Sequence, residues 1–524
     1  MTKQWIEEQI RKDTVELRRV IHKYTSEYES QPHRVDSLVT RDANEFFTHF
    51  YRTISENELD VYNRLTMTRW NKTGYLKTNS SEPTNVGAGA GTIHISKTGV
   101  ITDDYIESMD FKIERIKSAA DLPRPRILET LRHQFDSGRG RNPDGDEDRY
   151  IPRIVYSYIR DKAEYWIQFN YDNLNGRNIT LHFITFPESH ISICTSSSSG
   201  YNSTLCADEI AIYKTYAYKV FLWLTMVTKL ADKGCSGTSL NVYFYMTPFK
   251  KNIPSATSST HEGDTLSAIH VNTGLTRNCE NDGEIIIYRA EEWFKVFIHE
   301  SMHNFNMDFI ENDLSEMNKR MRESFNISHG DVLFFETYTE SWARIVNTMF
   351  ETYFDPNIRN QTAFIHKVRE NLSHNAMFSV YQAVKILDLM DLKYAQLTIT
   401  SRENIEVCRK RYKEDTNVYA YYILGGLIAV YALQFISWCR HTNRHNSSTI
   451  RNTFRRNPAL DSIRFLNEDA TLYKFVDFMR EISRKPEILG MIAFCEKKLH
   501  KTPKRGSRSS DHGERLEKTL RMTL

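Results

Sequence analysis

The spacing of apolar positions divides the chain into a helical stretch, a mixed stretch and a second helical stretch. From Glu7 to Tyr28, Ile10, Val15, Leu17, Val20 and Ile21 recur at roughly helical intervals, and Ala43–Leu65 repeats the pattern. Residues 1–136 are therefore expected to form an N-terminal helical domain. Ser, Gly and Ala crowd residues 78–104, which read as a loop; its GAGAG run lacks a following Gly-Lys-Ser/Thr, so no phosphate-binding loop is expected. Residues 137–149 (SGRGRNPDGDEDR) are charged and turn-rich and form a linker.

Beyond the linker the period shortens. Residues 151–160, 164–172 and 178–186 are aromatic and β-branched with polar residues between, and read as strands, with a turn at Asn173–Gly176. A helix is expected over 208–233 with Asp208 as its N-cap, followed by strands at 240–247, 268–273 and 284–289. After Tyr288 only helices are expected, at 290–306, 308–325, 331–354, 361–395 and 418–439. The chain is thus expected to be α+β. A strand-containing lobe spans 150–306, a helical lobe 307–495, and a flexible basic tail 496–524. No repeat of fixed period is present.

Composition narrows the function classes. The 524 residues are 40% hydrophobic and 26% charged with a net charge of +2, which excludes a wholly disordered chain and a general electrostatic binder of nucleic acid. The seven cysteines (Cys194, Cys206, Cys235, Cys279, Cys408, Cys439 and Cys495) include no CxxC pair, which argues against a disulfide framework and a cysteine-built zinc site. The first residues are charged and amphipathic without an apolar core, so no secretory signal is read and an intracellular, cytoplasmic protein is expected. Val418–Cys439 carries no charge over 22 residues, but four tyrosines, Gln434, Ser437 and Gly425-Gly426 favour a buried helix over a membrane span. The tail carries nine Lys/Arg against four Asp/Glu; it reads as a solvated terminus, or as an arm for an acidic partner or nucleic acid.

The chemistry lies in His299-Glu300-Ser301-Met302-His303. On a helix, positions i and i+4 share a face, so two imidazoles there can bind one Zn²⁺, and Glu300 can act as general base on a water molecule. The flanking Trp293, Phe294, Val296, Phe297 and Ile298 predict a buried helix, in which unpaired imidazoles and a carboxylate would be costly. A third ligand is needed. No histidine stands where HExxHxxGxxH would place one, because Met307-Asp308-Phe309 follows instead. Glu336 and Glu340 lie one turn apart on a later helix, 33 residues beyond His303, and spacing alone permits either as ligand.

HExxH followed by Glu336-Thr-Tyr-Thr-Glu340-Ser-Trp-Ala resembles the gluzincin group of zinc metallopeptidases, in its lethal-factor-like arrangement, over about residues 290–345. The resemblance implies a zincin-like catalytic domain, a mixed sheet lobe followed by a helical lobe, acting on a peptide or protein substrate. It further implies Glu336 as the zinc ligand beside His299 and His303, and Glu340 as the residue that orients a ligand histidine. His329 stands where that pattern carries a tyrosine; it is the candidate for stabilising the transition state. Tyr419, Tyr421 and Tyr422 do not register with a catalytic tyrosine and are expected in the core. The region from HVNTGLT to HNFNMDF is also similar to metallopeptidase-like proteins of large DNA viruses, which implies a virion-associated location. A competing expectation is a structural or interaction protein on the same scaffold with a non-catalytic zinc.

Overall fold

The computed structural model describes residues 3–29, 37–72, 111–129, 151–187, 207–254, 265–327, 333–443, 458–501 and 516–524. The stretch 78–104, the linker 137–149 and His329 lie outside the described residues. Six strands form one mixed sheet: β1 (Lys112–Arg115), β2 (Tyr165–Leu174), β3 (Arg177–Thr185), β4 (Ser239–Tyr245), β5 (Gly274–Thr276) and β6 (Asp282–Ile287), in the order β1-β2-β3-β4-β6-β5. The central pairs β3/β4 and β4/β6 are parallel; β1/β2, β2/β3 and β5/β6 are antiparallel. The β2–β3 turn needs left-handed backbone, which Asn173 (φ 59°), Asn175 (φ 50°) and Gly176 (φ 90°) supply.

The main helices are α1 (Lys3–Glu29), α2 (Ser37–Lys72), α3 (Arg153–Lys162), α4 (Ala207–Val227), α5 (Trp293–Asn304), α6 (Ser315–Ser324), α7 (Phe334–Tyr353), α8 (Gln361–Leu389), α9 (Arg402–Arg411), α10 (Ala432–Thr442), α11 (Asp469–Ile482) and α12 (Pro486–Lys501). Side chains alternate across the sheet with period two, so each strand faces two cores. Leu240, Val242 and Phe244 of β4 and Ile285 and Ile287 of β6 face the large helical core; Tyr243, Tyr245 and Ile286 face a smaller one closed by Val155 and Ile159 of α3.

Several expectations need correction. Residues 151–160 are not a strand: Pro152 starts α3, and Val155 and Ile159 are buried one turn apart while Ile154 is exposed, which is a helical and not an alternating pattern. Residues 268–273 hold a short helix (Ala268–Val271), and the strand begins only at Gly274. β1 was not expected in residues 1–136, because all four of its residues are exposed and Ile113 alone among them is apolar. The segment 361–395 breaks after Leu389, where Asp391 has φ 52°.

The N-terminal helices are not a separate domain. Phe46 of α2 packs against Trp342 of α7 at 5.4 Å and Phe50 against Phe350 at 6.1 Å, so both share the main core. Cys235 and Cys279 form a disulfide that joins the approach to β4 to the β5–β6 turn, although the cysteine spacing argued against a disulfide framework. Residues 418–439 are buried but not one helix: Tyr419–Val430 and α10 meet at 91°. Among the described residues no single helix is long and apolar enough to cross a membrane.

The basic tail is not flexible throughout. Residues 496–501 complete α12, and Leu516, Leu520, Met522 and Leu524 are buried in the main core. Sequence reading missed this because four apolar residues among many charges show no clear period.

The end of α5 is locked to β6. Ser236 Oγ donates to Asn304 Oδ1 at 2.5 Å, and a Cβ at Gly283 would lie 1.9 Å from Ser236 Oγ and 2.9 Å from Asn304 Nδ2. Gly283→Ala is therefore expected to cost about 1–3 kcal/mol through overpacking and to lower the thermal midpoint by several degrees. A midpoint equal to that of the unaltered chain would show that α5 does not end against β6 in this way.

Candidate metal centre

The centre is built on α5, which follows directly from the apolar strand β6. Every residue of α5 is buried. One face is fixed from the core side: Trp293 meets Phe244 edge-on at 5.3 Å, and Trp223 Nε1 donates to Ser301 Oγ at 2.8 Å. The opposite face presents Val296, His299, Glu300 and His303 to a cleft of about 520 Å³. Helix α7 closes the other wall, with Glu336 in its first turn and Glu340 one turn on.

Three donor atoms converge. His299 Nε2 lies 3.0 Å from Glu336 Oε2 and 3.1 Å from His303 Nε2, and His303 Nε2 lies 3.4 Å from Glu336 Oε2. The edges of a tetrahedron with metal–ligand bonds of about 2.0–2.1 Å measure about 3.3–3.4 Å, so the triangle is close to one face of a tetrahedral site.

The other ring nitrogens settle where the lone pairs point. His299 Nδ1 donates to Glu340 Oε2 at 3.2 Å, and His303 Nδ1 donates to Asp308 Oδ2. A carboxylate only accepts, so both Nδ1 atoms carry the hydrogen, and in the neutral rings both Nε2 lone pairs face the Glu336 oxygen. Three acceptors facing one point repel unless a cation or protons stand between them. The electrostatics express the same demand. Burial lowers the His299 pKa, but hydrogen bonds to Glu336 and Glu340 outweigh it and leave it raised. Burial likewise opposes a charge on His303, and the Asp308 and Glu336 carboxylates raise its pKa well above the usual value. Glu336 and Glu340 are held well below the usual carboxylate range: burial opposes this, but the His303 charge prevails at Glu336, and Lys295 and Arg344 prevail at Glu340.

The surrounding layer is dense. Lys295 Nζ donates to both oxygens of Glu340 at 2.9 Å, and Arg344 Nε donates to Glu340 Oε1 at 2.8 Å. Asp308 accepts from Ile310 N at 2.9 Å and from Thr339 Oγ1 at 3.2 Å. The structure thus separates the two acids that spacing left open: Glu336 faces the ring nitrogens at the centre, and Glu340 stands behind His299. Asp308, which marked only the absence of a longer histidine motif, does for His303 what Glu340 does for His299.

Tyr421 is a further correction. Its hydroxyl donates to Glu336 Oε2 at 3.0 Å, and Asn417 Nδ2 donates to Glu336 Oε1 at 3.3 Å. Tyr421 lies in a π-helical turn, Tyr419–Leu424, and such turns cluster at functional sites. The wider turn defeats register arguments based on a 3.6-residue period. The available signal was Asn417 and Tyr421, polar residues four apart at the start of an uncharged run. Tyr419 and Tyr422 are core residues as expected.

Glu300 lines the cleft, and its pKa is raised, chiefly by burial. A second His/Glu group, His22, Glu370 and His374, also brings ligand atoms together. There the imidazoles stack at 3.5 Å with 29° between planes, so the two lone pairs lie in separate, nearly parallel planes.

The two acids are expected to differ in a zinc titration. Glu336→Gln removes a charged ligand atom and is expected to abolish tight binding, whereas Glu340→Gln and Asp308→Asn are expected to weaken it about 10–100-fold. Tight binding by Glu336→Gln, with loss in Glu340→Gln, would reverse the assignment.

Comparison of the chain with protein-family models, curated proteins and solved structures finds no match.

Proposed function

We propose that the protein is a zinc-dependent metallopeptidase of zincin-like architecture, in which His299, His303 and Glu336 hold the metal and Glu300 is the general base. The observation that carries this reading is the convergence of two imidazole Nε2 atoms and one carboxylate oxygen at 3.0–3.4 Å, with both Nδ1 edges held by carboxylates. Imidazole and carboxylate ligands with one face left open to a cleft suit catalytic Zn²⁺. Zinc held there would polarise a carbonyl and acidify a water molecule.

The protein's own residues then divide the work. Glu300, its pKa raised by burial, accepts the proton of the attacking water and returns it to the leaving amine. Tyr421 is the hydroxyl donor at the centre; burial and the Glu336 charge raise its pKa well above the usual value and keep it protonated. We assign it the stabilisation of developing negative charge on the carbonyl oxygen, a role first given to His329. The substrate is an extended peptide. β5 is the edge of the sheet and borders the cleft, so a peptide can add to it as a further strand. Gly274 permits the close approach of this strand to α5: a Cβ there would lie 2.9 Å from Val296 Cγ1 and 3.0 Å from Glu300 Cγ.

The test is zinc content together with hydrolysis of a peptide library. Glu300→Gln is expected to retain one zinc while losing about 10²–10⁴-fold in turnover. Tyr421→Phe is expected to retain zinc and lose about 10²–10³-fold, mainly in kcat. Stoichiometric zinc in the unaltered chain without turnover on any peptide would overturn the catalytic reading in favour of a structural scaffold. Near-normal turnover by Glu300→Gln would remove Glu300 from the mechanism.

A further inference from the structure

The segment 516–524 runs through the core beside the metal centre, and its contacts are those of a bound peptide. Asn252 and Thr519 form an antiparallel bridge, with Ile253 N donating to Lys518 O and Leu520 N to Lys251 O, both at 2.8 Å. Buried side chains from other elements hold four further carbonyls. Lys385 Nζ donates to Leu516 O at 2.8 Å and also to Thr519 O, Tyr422 OH donates to Leu520 O at 2.5 Å, and Gln382 Nε2 donates to Arg521 O at 2.8 Å.

Its far end meets the residue that starts the metal-binding helix. Glu292, in left-handed backbone at φ 58°, precedes α5 and is buried. Its Oε1 accepts from Met522 N at 3.0 Å, Thr523 N at 2.7 Å and Thr523 Oγ1 at 2.6 Å, while Oε2 pairs with Lys251 Nζ at 3.0 Å. Met522 also places its Sδ 3.5 Å from Lys295 Nζ, the cation that grips both oxygens of Glu340. Glu340 in turn orients His299. Two residues, Lys295 and Glu340, therefore connect Met522 of the segment to the proposed ligand His299. With the segment gone, Glu292 loses three donors in a buried site and keeps Lys251, while the Lys295 charge already acts on it.

We propose that residues 516–524 are a strap whose docking positions the metal centre: the strap satisfies Glu292 and packs Met522 on Lys295, so that Lys295 stays on Glu340 and Glu340 holds His299 in its binding orientation. The groove between residues 251–253 and α8 is accordingly a peptide-binding site whose occupant is this segment of the same chain. The proposal rests on the metal reading above. Lys295 and Met522 act through Glu340 and are positioning residues.

The measurement is zinc affinity by competition with a chelator, with the circular dichroism melt as a check on folding. Deletion of residues 516–524 is expected to weaken zinc binding about 10–100-fold, and the synthetic peptide LEKTLRMTL is expected to restore it in a saturable manner. In the full chain, Met522→Glu offers Lys295 a second carboxylate and is expected to weaken zinc at least tenfold, while Met522→Leu, similar in volume, stays within about threefold. Equal losses in Met522→Glu and Met522→Leu would indicate packing alone and overturn the proposal. So would unchanged affinity in Met522→Glu, or in a deletion that remains folded. Should the deletion fail to fold, the two Met522 variants decide the question. Absence of tight zinc binding in the unaltered full chain would overturn the metal reading and this proposal with it; normal zinc there with insensitive variants overturns only the strap.

Discussion

The structure is organised around a surplus of buried negative charge. Glu300, Asp308, Glu336 and Glu340 all lie at the end of one cleft or directly behind it; among the described residues Lys295 and Arg344 pair with this group, while Lys251 and Arg277, which also line the cleft, pair with Glu292 and Glu280. Four carboxylates against two cations leave two negative charges, in a setting where an unpaired ion costs several kcal/mol. Two protons on the imidazoles or one divalent cation would cancel that charge, and both would occupy the same space between the Nε2 atoms and Glu336. Protons and metal thus compete for one position, which is the condition under which metal affinity depends on pH.

Such a cluster can exist only where the backbone around it is rigid. Helix α5 supplies this, since it is buried on every face and clamped through Trp293, Ser301 and Asn304 to three different elements. Helix α7 is held as firmly: Trp342 lies between Phe46 of α2 and Phe435 of α10, each at 5.4 Å, and Tyr338 donates to Ile463 O at 2.9 Å. The N-terminal helices therefore belong to the same core as the centre, and their packing fixes the helix that carries Glu336 and Glu340.

What was legible in the sequence follows from how local each signal is. HExxH lies within one helical turn, and the Glu336/Glu340 pair within another, so both declared themselves by spacing. Central strands β3, β4 and β6 were legible because they are rich in aromatic and β-branched residues, most of them buried. Strand β1 was not, since an exposed four-residue edge strand is defined by its partner and not by its own residues. Helix α3 was mistaken for a strand because Ile154, Val155, Tyr156, Tyr158 and Ile159 favour strands by type, and only tertiary contact shows which of them are buried. Asp308 and Tyr421 escaped for a related reason. Each becomes meaningful only when a reverse turn or a π-helical turn carries it to a residue far away in sequence or out of helical register.

The same non-locality bears on how the centre would respond to its metal. Its polar groups come from α5, the turn after it, α7, the π-helical turn and the strap at 516–524. No one of these segments forms the centre alone, and an unfolded chain would hold its ligands far apart. A cation bound only by the folded arrangement stabilises it by RT ln(1 + [L]/Kd), about 4 kcal/mol at a thousandfold excess over Kd. That is a large part of the stability of an ordinary domain. The stabilisation would fall on every segment that contributes a group, so on the proposed metal reading metal binding and the docking of 516–524 would favour one another through the fold they share. By reciprocity, the factor by which the docked segment would tighten the metal equals the factor by which the metal would tighten the segment. The buried charge at the centre is therefore also what ties distant parts of the chain to one another.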